Sequence, residues 1–249
     1  MCGIIGYVGR QNCARLLIDA LKTLEYRGYD SAGVAFFHDG VIETVKAAGR
    51  IENLEKKMEG REDVETHCGI GHTRWATHGG PTDENAHPHS SEHISLLHNG
   101  IIENYQELKA FLTEQGYTFA SQTDTETAVH LMDYYYKQTG DFLDAVIKAL
   151  GDIRGTYAFG IICKDEPGKI ICVRQENPLL IGLGDGENFM ASDIPAFIKY
   201  TKKYLVMEPG EIAILEADKV TVVDIDKNPI EKTPLTVTWD YEAAEKGGY

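Results

Sequence analysis

The sequence is short of positive charge: 24 Lys and Arg stand against 39 Asp and Glu, a formal net charge of −15. That argues against nucleic acid and anionic membrane surfaces as general partners, because both need a basic footprint. It leaves room for a small anionic ligand held by one or two local arginines. Long apolar runs are absent, and no basic-then-apolar segment opens the chain, so neither a bilayer-spanning helix nor a secretory leader is expected. The five cysteines (Cys2, Cys13, Cys68, Cys163 and Cys172) form no C-x-x-C pair. Their spacing fits neither a disulfide framework nor a zinc site and suits a reducing, cytoplasmic compartment. Internal repeats and low-complexity segments are missing too. What remains is a chain of 249 residues, 43% hydrophobic and 25% charged, enough for a sizeable core in one large domain or two small ones.

Within it, strand-like runs and helices alternate irregularly. Gly3–Val8 reads as a strand, followed by an amphipathic helix over Ala14–Leu24 with Asn12 as its cap and Gly28 beyond its end. Ala32–Phe37 and Val41–Ala47 flank Asp39-Gly40, a hairpin signal. Cys68–Thr73 and Ile94–Leu97 read as buried strands, and Asn104–Gln115 as a helix closed by Gly116. Thr123-x-x-Glu126 is a capping box opening a helix through about Tyr136, and Phe142–Leu150 continues the helical region. From Tyr157 the texture changes to short β runs divided by Gly, Pro, Asp and Asn. Gly182-x-Gly184-x-Gly186 belongs to a hairpin there, since its spacing is not that of a dinucleotide loop. Helices grouped between two sets of strands predict an α+β fold, with sheets packed together and helices outside. Thr236–Tyr249 lacks either periodicity and reads as a linker.

Five places carry residues capable of chemistry. Cys2 follows the initiator Met1, and its small side chain permits removal of that methionine. The mature chain would then begin with a thiol and a free α-amine on one carbon. Their ordinary pKa values, about 8.5 and about 7.7–8.0, let the amine take the thiol's proton near neutral pH. Nucleophile and base would share one residue. Arg74, at the end of an apolar run and next to Trp75, is a natural fork for a carboxylate, although an ion pair with a surface acid is its commoner fate. Asn99-Gly100 follows a buried strand; on local grounds the pair is a hairpin turn, and its alternative role is as oxyanion donors. Asp124 either starts a helix or binds an ammonium group. Seven of the nine histidines fall between His67 and His98, among them His87-Pro88-His89, but no ligand set with zinc spacing accompanies them. No metal is expected.

Four stretches occur together and in order: Leu24–Gly33 (LEYRGYDSAG), His72–Gly79 (HTRWATHG), His98–Asn104 (HNGIIEN) and Thr123–Glu126 (TDTE). In this combination the chain resembles the glutaminase domains of the glutamine–fructose-6-phosphate aminotransferases, class II glutamine amidotransferases of the N-terminal-nucleophile hydrolase superfamily. The resemblance implies a four-layer αββα sandwich. It implies that Cys2 is the nucleophile and that Asn99 and Gly100 form the oxyanion hole. Arg74 would bind the glutamine α-carboxylate, with Thr77 and His78 lining the same pocket, and Asp124, helped by Gly100, would hold the α-ammonium. Arg27 would lie beside the nucleophile, Trp75 would gate the passage of ammonia, and His87 would sense a sugar phosphate in the neighbouring domain. No cofactor is implied. The expected partners are L-glutamine and a C-terminal isomerase domain carrying fructose 6-phosphate, in a homodimeric full-length enzyme. The expected organisation is a glutaminase domain over 1–238 and a linker over 239–249. Other class II amidotransferases and a non-catalytic glutamine-sensing module stand as alternatives.

Overall fold

The computed structural model describes residues 2–61, 64–76 and 79–238. The expected linker, 239–249, therefore lies outside the described residues. In chain order the elements are β1 (Gly3–Gly9), α1 (Cys13–Lys22), β2 (Ser31–His38), β3 (Val41–Ala48), α2 (Ile51–Met58), β4 (Cys68–Arg74), β5 (His89–Ser90), β6 (Ile94–Ile102), α3 (Tyr105–Glu114), α4 (Asp124–Thr139), α5 (Phe142–Asp152), β7 (Gly155–Cys163), β8 (Ile170–Gln175), β9 (Leu180–Leu183), β10 (Glu187–Ala191), β11 (Lys203–Val206), β12 (Ile212–Glu216), β13 (Lys219–Val223) and β14 (Leu235–Thr236). They build two sheets, an eight-stranded one in the order β14-β11-β9-β10-β1-β4-β2-β3 and a six-stranded one in the order β13-β12-β8-β7-β6-β5. Every named strand pair is antiparallel.

Side-chain alternation divides each central strand between two cores. On β1, Ile5 and Tyr7 pack with α1 and α2, while Ile4 and Val8 face the second sheet. On β7, Phe159 and Ile161 pack with the helices α3–α5, while Ala158 and Ile162 meet the first sheet. A strand buried on both faces must be apolar at every position, which is why these segments read as continuous hydrophobic runs. The result is the four-layer αββα sandwich of N-terminal-nucleophile hydrolases, with helices outside two apposed sheets.

Two local expectations change. Asn99-Gly100 is no turn: β6 runs through it to Ile102, paired with β7 down to Ile102 opposite Gly155. The capping box at α4 is half made. Thr123 Oγ1 accepts from Glu126 N at 3.3 Å, but the Glu126 carboxylate turns to the N–H groups of Ala120 and Ser121, at 2.8 and 2.7 Å. The predicted Asn12 cap of α1 forms, accepting from Ala14 N at 3.2 Å.

Candidate active site

β1 and β4 run side by side, Gly3 opposite Thr73, so the start of one strand meets the end of the other. This register brings Cys2, half-buried, against the segment that follows Arg74. The Trp75 N–H donates to Cys2 Sγ at 3.2 Å. From the second sheet, Asn99 Nδ2 donates to Cys2 O at 3.1 Å. Burial pushes the Cys2 thiol above its ordinary value, while the Trp75 N–H and the Arg74 charge pull it back. The sulfur is thus a thiol that needs a base rather than a ready-made thiolate.

Arg74, only 4% exposed, donates from Nη1 to Gly80 O at 3.2 Å and from Nη2 to Gly79 O at 3.4 Å. Burial works against its charge, and Asp30, Cys2 and Asp124 lie within electrostatic reach to support it. Asp124 sits at the first position of α4 and is itself buried; its Oδ2 accepts from Ile102 N at 2.7 Å. The Cys2 thiol, the Arg74 guanidinium and the Asp124 carboxylate therefore belong to one polar cluster, although they come from the residue before β1, the end of β4 and the start of α4.

Gly100 follows Asn99 on β6. Its φ is +139°, and a Cβ there would lie 2.0 Å from Thr156 O, so no other residue fits without moving β7. The neighbouring Asn99 carbonyl accepts a hydrogen bond from the Asn177 side chain. Trp75 is 54% exposed and lies over Gly28, whose missing side chain leaves the space for the indole. Arg27 is fixed by Asp193, its Nη1 donating to Oδ2 at 3.2 Å, and Tyr26 bonds the same oxygen. Asp193 follows Ser192, which brackets Ile4 through Ile4 N to Ser192 Oγ and Ser192 N to Ile4 O, both 3.1 Å.

His87 lies in the interior. It is buried, with its ring 4.2 Å from that of His72 and 5.0 Å from that of His89. Thr77 and His78 lie outside the described residues. Sequence reading overlooked His72, Asp30 and Asn177. The first two stand within the stretches that carry the resemblance, whereas nothing local marks Asn177.

A model of a glutamine amidotransferase domain matches residues 72–199, just over half of the chain. The chain belongs to the glutamine amidotransferase family. Curated relatives of this amidotransferase include the glutamine–fructose-6-phosphate aminotransferases (isomerizing) of Clostridium perfringens, 52% identical, and of Aquifex aeolicus, 50% identical. Both matches cover all of this chain but only 41% and 42% of the relatives. Among solved structures, the glutamine phosphoribosylpyrophosphate amidotransferase from B. subtilis superposes with a TM-score of 0.76 at 29% identity, over 92% of this chain and 50% of that one. No described helix of the amidotransferase is long and apolar enough to cross a membrane.

Proposed function

We propose that the chain is the glutaminase part of a glutamine–fructose-6-phosphate aminotransferase, residues 1–238 forming the domain and 239–249 a linker. It hydrolyses L-glutamine to glutamate and ammonia through a thioester on Cys2. The reading is supported by relatives about half identical along the entire chain, which spans about two-fifths of their length. The observation that carries it is the convergence on residue 2. One N–H meets its sulfur at 3.2 Å and a side-chain amide meets its carbonyl at 3.1 Å, with the Arg74 cation and the Asp30 anion in electrostatic reach.

The α-amine freed by loss of Met1 accepts the Cys2 proton as sulfur attacks the glutamine side-chain carbonyl. Asn99 Nδ2 and the Gly100 N–H take the charge that develops on that oxygen; losing one such donor typically costs ~10²–10³ in kcat. The amine's proton passes to the departing ammonia, and water then releases glutamate from the thioester. Arg74 holds the substrate carboxylate, with Thr77 and His78 beside it, and Asp124 holds the ammonium. Clamped at that end, glutamine aligns its amide with sulfur, and asparagine, one methylene shorter, falls out of reach. Trp75 over Gly28 covers the exit, and Arg27 steadies the segment beside the nucleophile.

In the full-length enzyme, cytoplasmic and homodimeric in this reading, the ammonia is delivered to an isomerase domain that aminates fructose 6-phosphate. Any part His87 plays there must be indirect, because its ring is enclosed. The test is ammonia release from glutamine by protein with a verified Cys2 N-terminus, beside Cys2→Ser and with asparagine as control. We expect turnover with glutamine alone, lost in Cys2→Ser. Equal rates for the wild type and Cys2→Ser would overturn the proposal.

A further inference from the structure

The Asn99 amide touches two groups, and the chemistry of both follows from backbone carbonyls. Its nitrogen end meets Cys2 O at 3.1 Å, an acceptor that demands a donor. Its oxygen end lies 3.1 Å from His72 Nε2. The same Nε2 lies 3.0 Å from His98 O, so this nitrogen must carry hydrogen. A protonated Nε2 can only face an acceptor, which makes the Asn99 atom opposite it Oδ1. Two carbonyls thus determine the orientation of the amide, and His72 transmits the second of them.

His72 is suited to the task. It is fully buried in mid-β4, opposite Ile4 on β1 and Gly33 on β2. The His87 ring packs against it at 4.2 Å between centroids, which restricts its rotation. Nδ1 is buried without a hydrogen-bond partner among the described residues, an environment fit for a bare lone pair rather than an N–H. Burial depresses its pKa to about 3, so the ring stays neutral throughout the working range.

We propose that His72 is the positioning residue of the oxyanion hole: its Nε2–H holds Asn99 Oδ1 and so keeps Nδ2 turned toward residue 2. An amide nitrogen has two hydrogens. Cys2 O takes one, and the other serves the oxyanion. Were the amide to rotate by half a turn, Oδ1 would replace that donor with a partial negative charge facing the developing negative charge. The inference rests on the glutaminase reading above and adds a residue to its machinery.

The experiment measures kcat and KM for glutamine in protein with a free Cys2 amine, for His72→Phe, His72→Asn and His72→Gln, with and without Asn99→Ala. Gln places an amide nitrogen close to Nε2, whereas Asn reaches only the Nδ1 position and Phe has no donor. We expect Phe and Asn to lower kcat by ~10-fold or more, approaching the ~10²–10³ of a lost donor, with KM little changed. Gln should restore most of the rate. With Asn99→Ala present, His72→Phe should cost less than ~2-fold further, because the two side chains act as one unit. Full additivity, a Gln variant as slow as Phe, or unchanged kcat in all three would overturn the inference while leaving the glutaminase reading intact. Wild-type protein inactive on glutamine would overturn both. Should Phe fail to fold by circular dichroism, the Asn and Gln pair makes the same comparison.

Discussion

Asp30 and Arg74 are joined through the backbone: the Asp30 N–H donates to Arg74 O at 2.7 Å, and the Asp30 carboxylate receives the Ala76 N–H at 2.7 Å. One residue thus pins the chain on both sides of Trp75, whose N–H in turn meets Cys2 Sγ. The aim of the guanidinium and the geometry at sulfur depend on the same acid.

Asp30→Ala should therefore damage function more than stability. Loss of registry at the proposed substrate clamp is costly, and we expect kcat/KM for glutamine to fall by at least ~10-fold. Tm should move by less than ~5 °C, since the carboxylate bond is local. Asp30→Asn, which keeps an acceptor, should recover much of the loss. Kinetics and a thermal melt on the three proteins check this, and a melt lowered in proportion to activity would contradict it.

Gly100→Ala should do the reverse of a mild change. A left-handed φ of +139° and a Cβ 2.0 Å from Thr156 O leave no strain-free solution. Backbone strain alone costs ~1–3 kcal/mol, before β7 is displaced. Urea unfolding should show a loss of at least ~2 kcal/mol together with loss of glutaminase activity. A variant of unaltered stability would show that β6 and β7 adjust freely here.

The buried histidines give the protein an acid limit. Burial, first of all, lowers His72 to about 3 and holds His87, His89 and His98 below their ordinary values. Arg74 adds to the effect at His72, His87 and His89; Lys46 adds to it at His89, where Glu126 opposes it, and Asp124 opposes it at His98. Because the folded pKa values lie below the unfolded value of about 6.5, the unfolded chain binds more protons in acid. The stability these neutral rings contribute is present above about pH 6.5 and is lost as pH falls toward 3, at up to ~1.4 kcal/mol per pH unit for each group. Denaturant unfolding at pH 7.5, 6.5 and 5.5 should show a small change over the first interval and a steep fall over the second. A flat response would contradict the burial of the cluster.

Much of this architecture is legible in the sequence, because strands buried on both faces leave continuous apolar runs. Helix α2 has no counterpart among the expected elements. Its apolar residues Ile51, Leu54 and Met58 fall on a helical face, but the charged residues between them hide the pattern. Asn99-Gly100 has the composition of a turn, yet the β7 ladder holds it extended. Cys2, Arg74, Asn99, Gly100 and Asp124 were identifiable as candidates through their order and neighbours. What no spacing reveals is that they meet, since the meeting depends on Gly3 pairing with Thr73 and on the apposition of two sheets. Asn177 escapes sequence reading altogether, because a lone Asn before Pro178 is an ordinary turn residue.

In the proposed mechanism, sulfur and its base share residue 2. The decisive measurement is the rate of ammonia release from glutamine by two preparations identical except for Met1, their N-termini verified by intact mass. We expect activity in the protein that begins at Cys2 and a rate at least ~10² lower when Met1 is retained, because an acylated nitrogen is no base. Equal rates in the two preparations would contradict it.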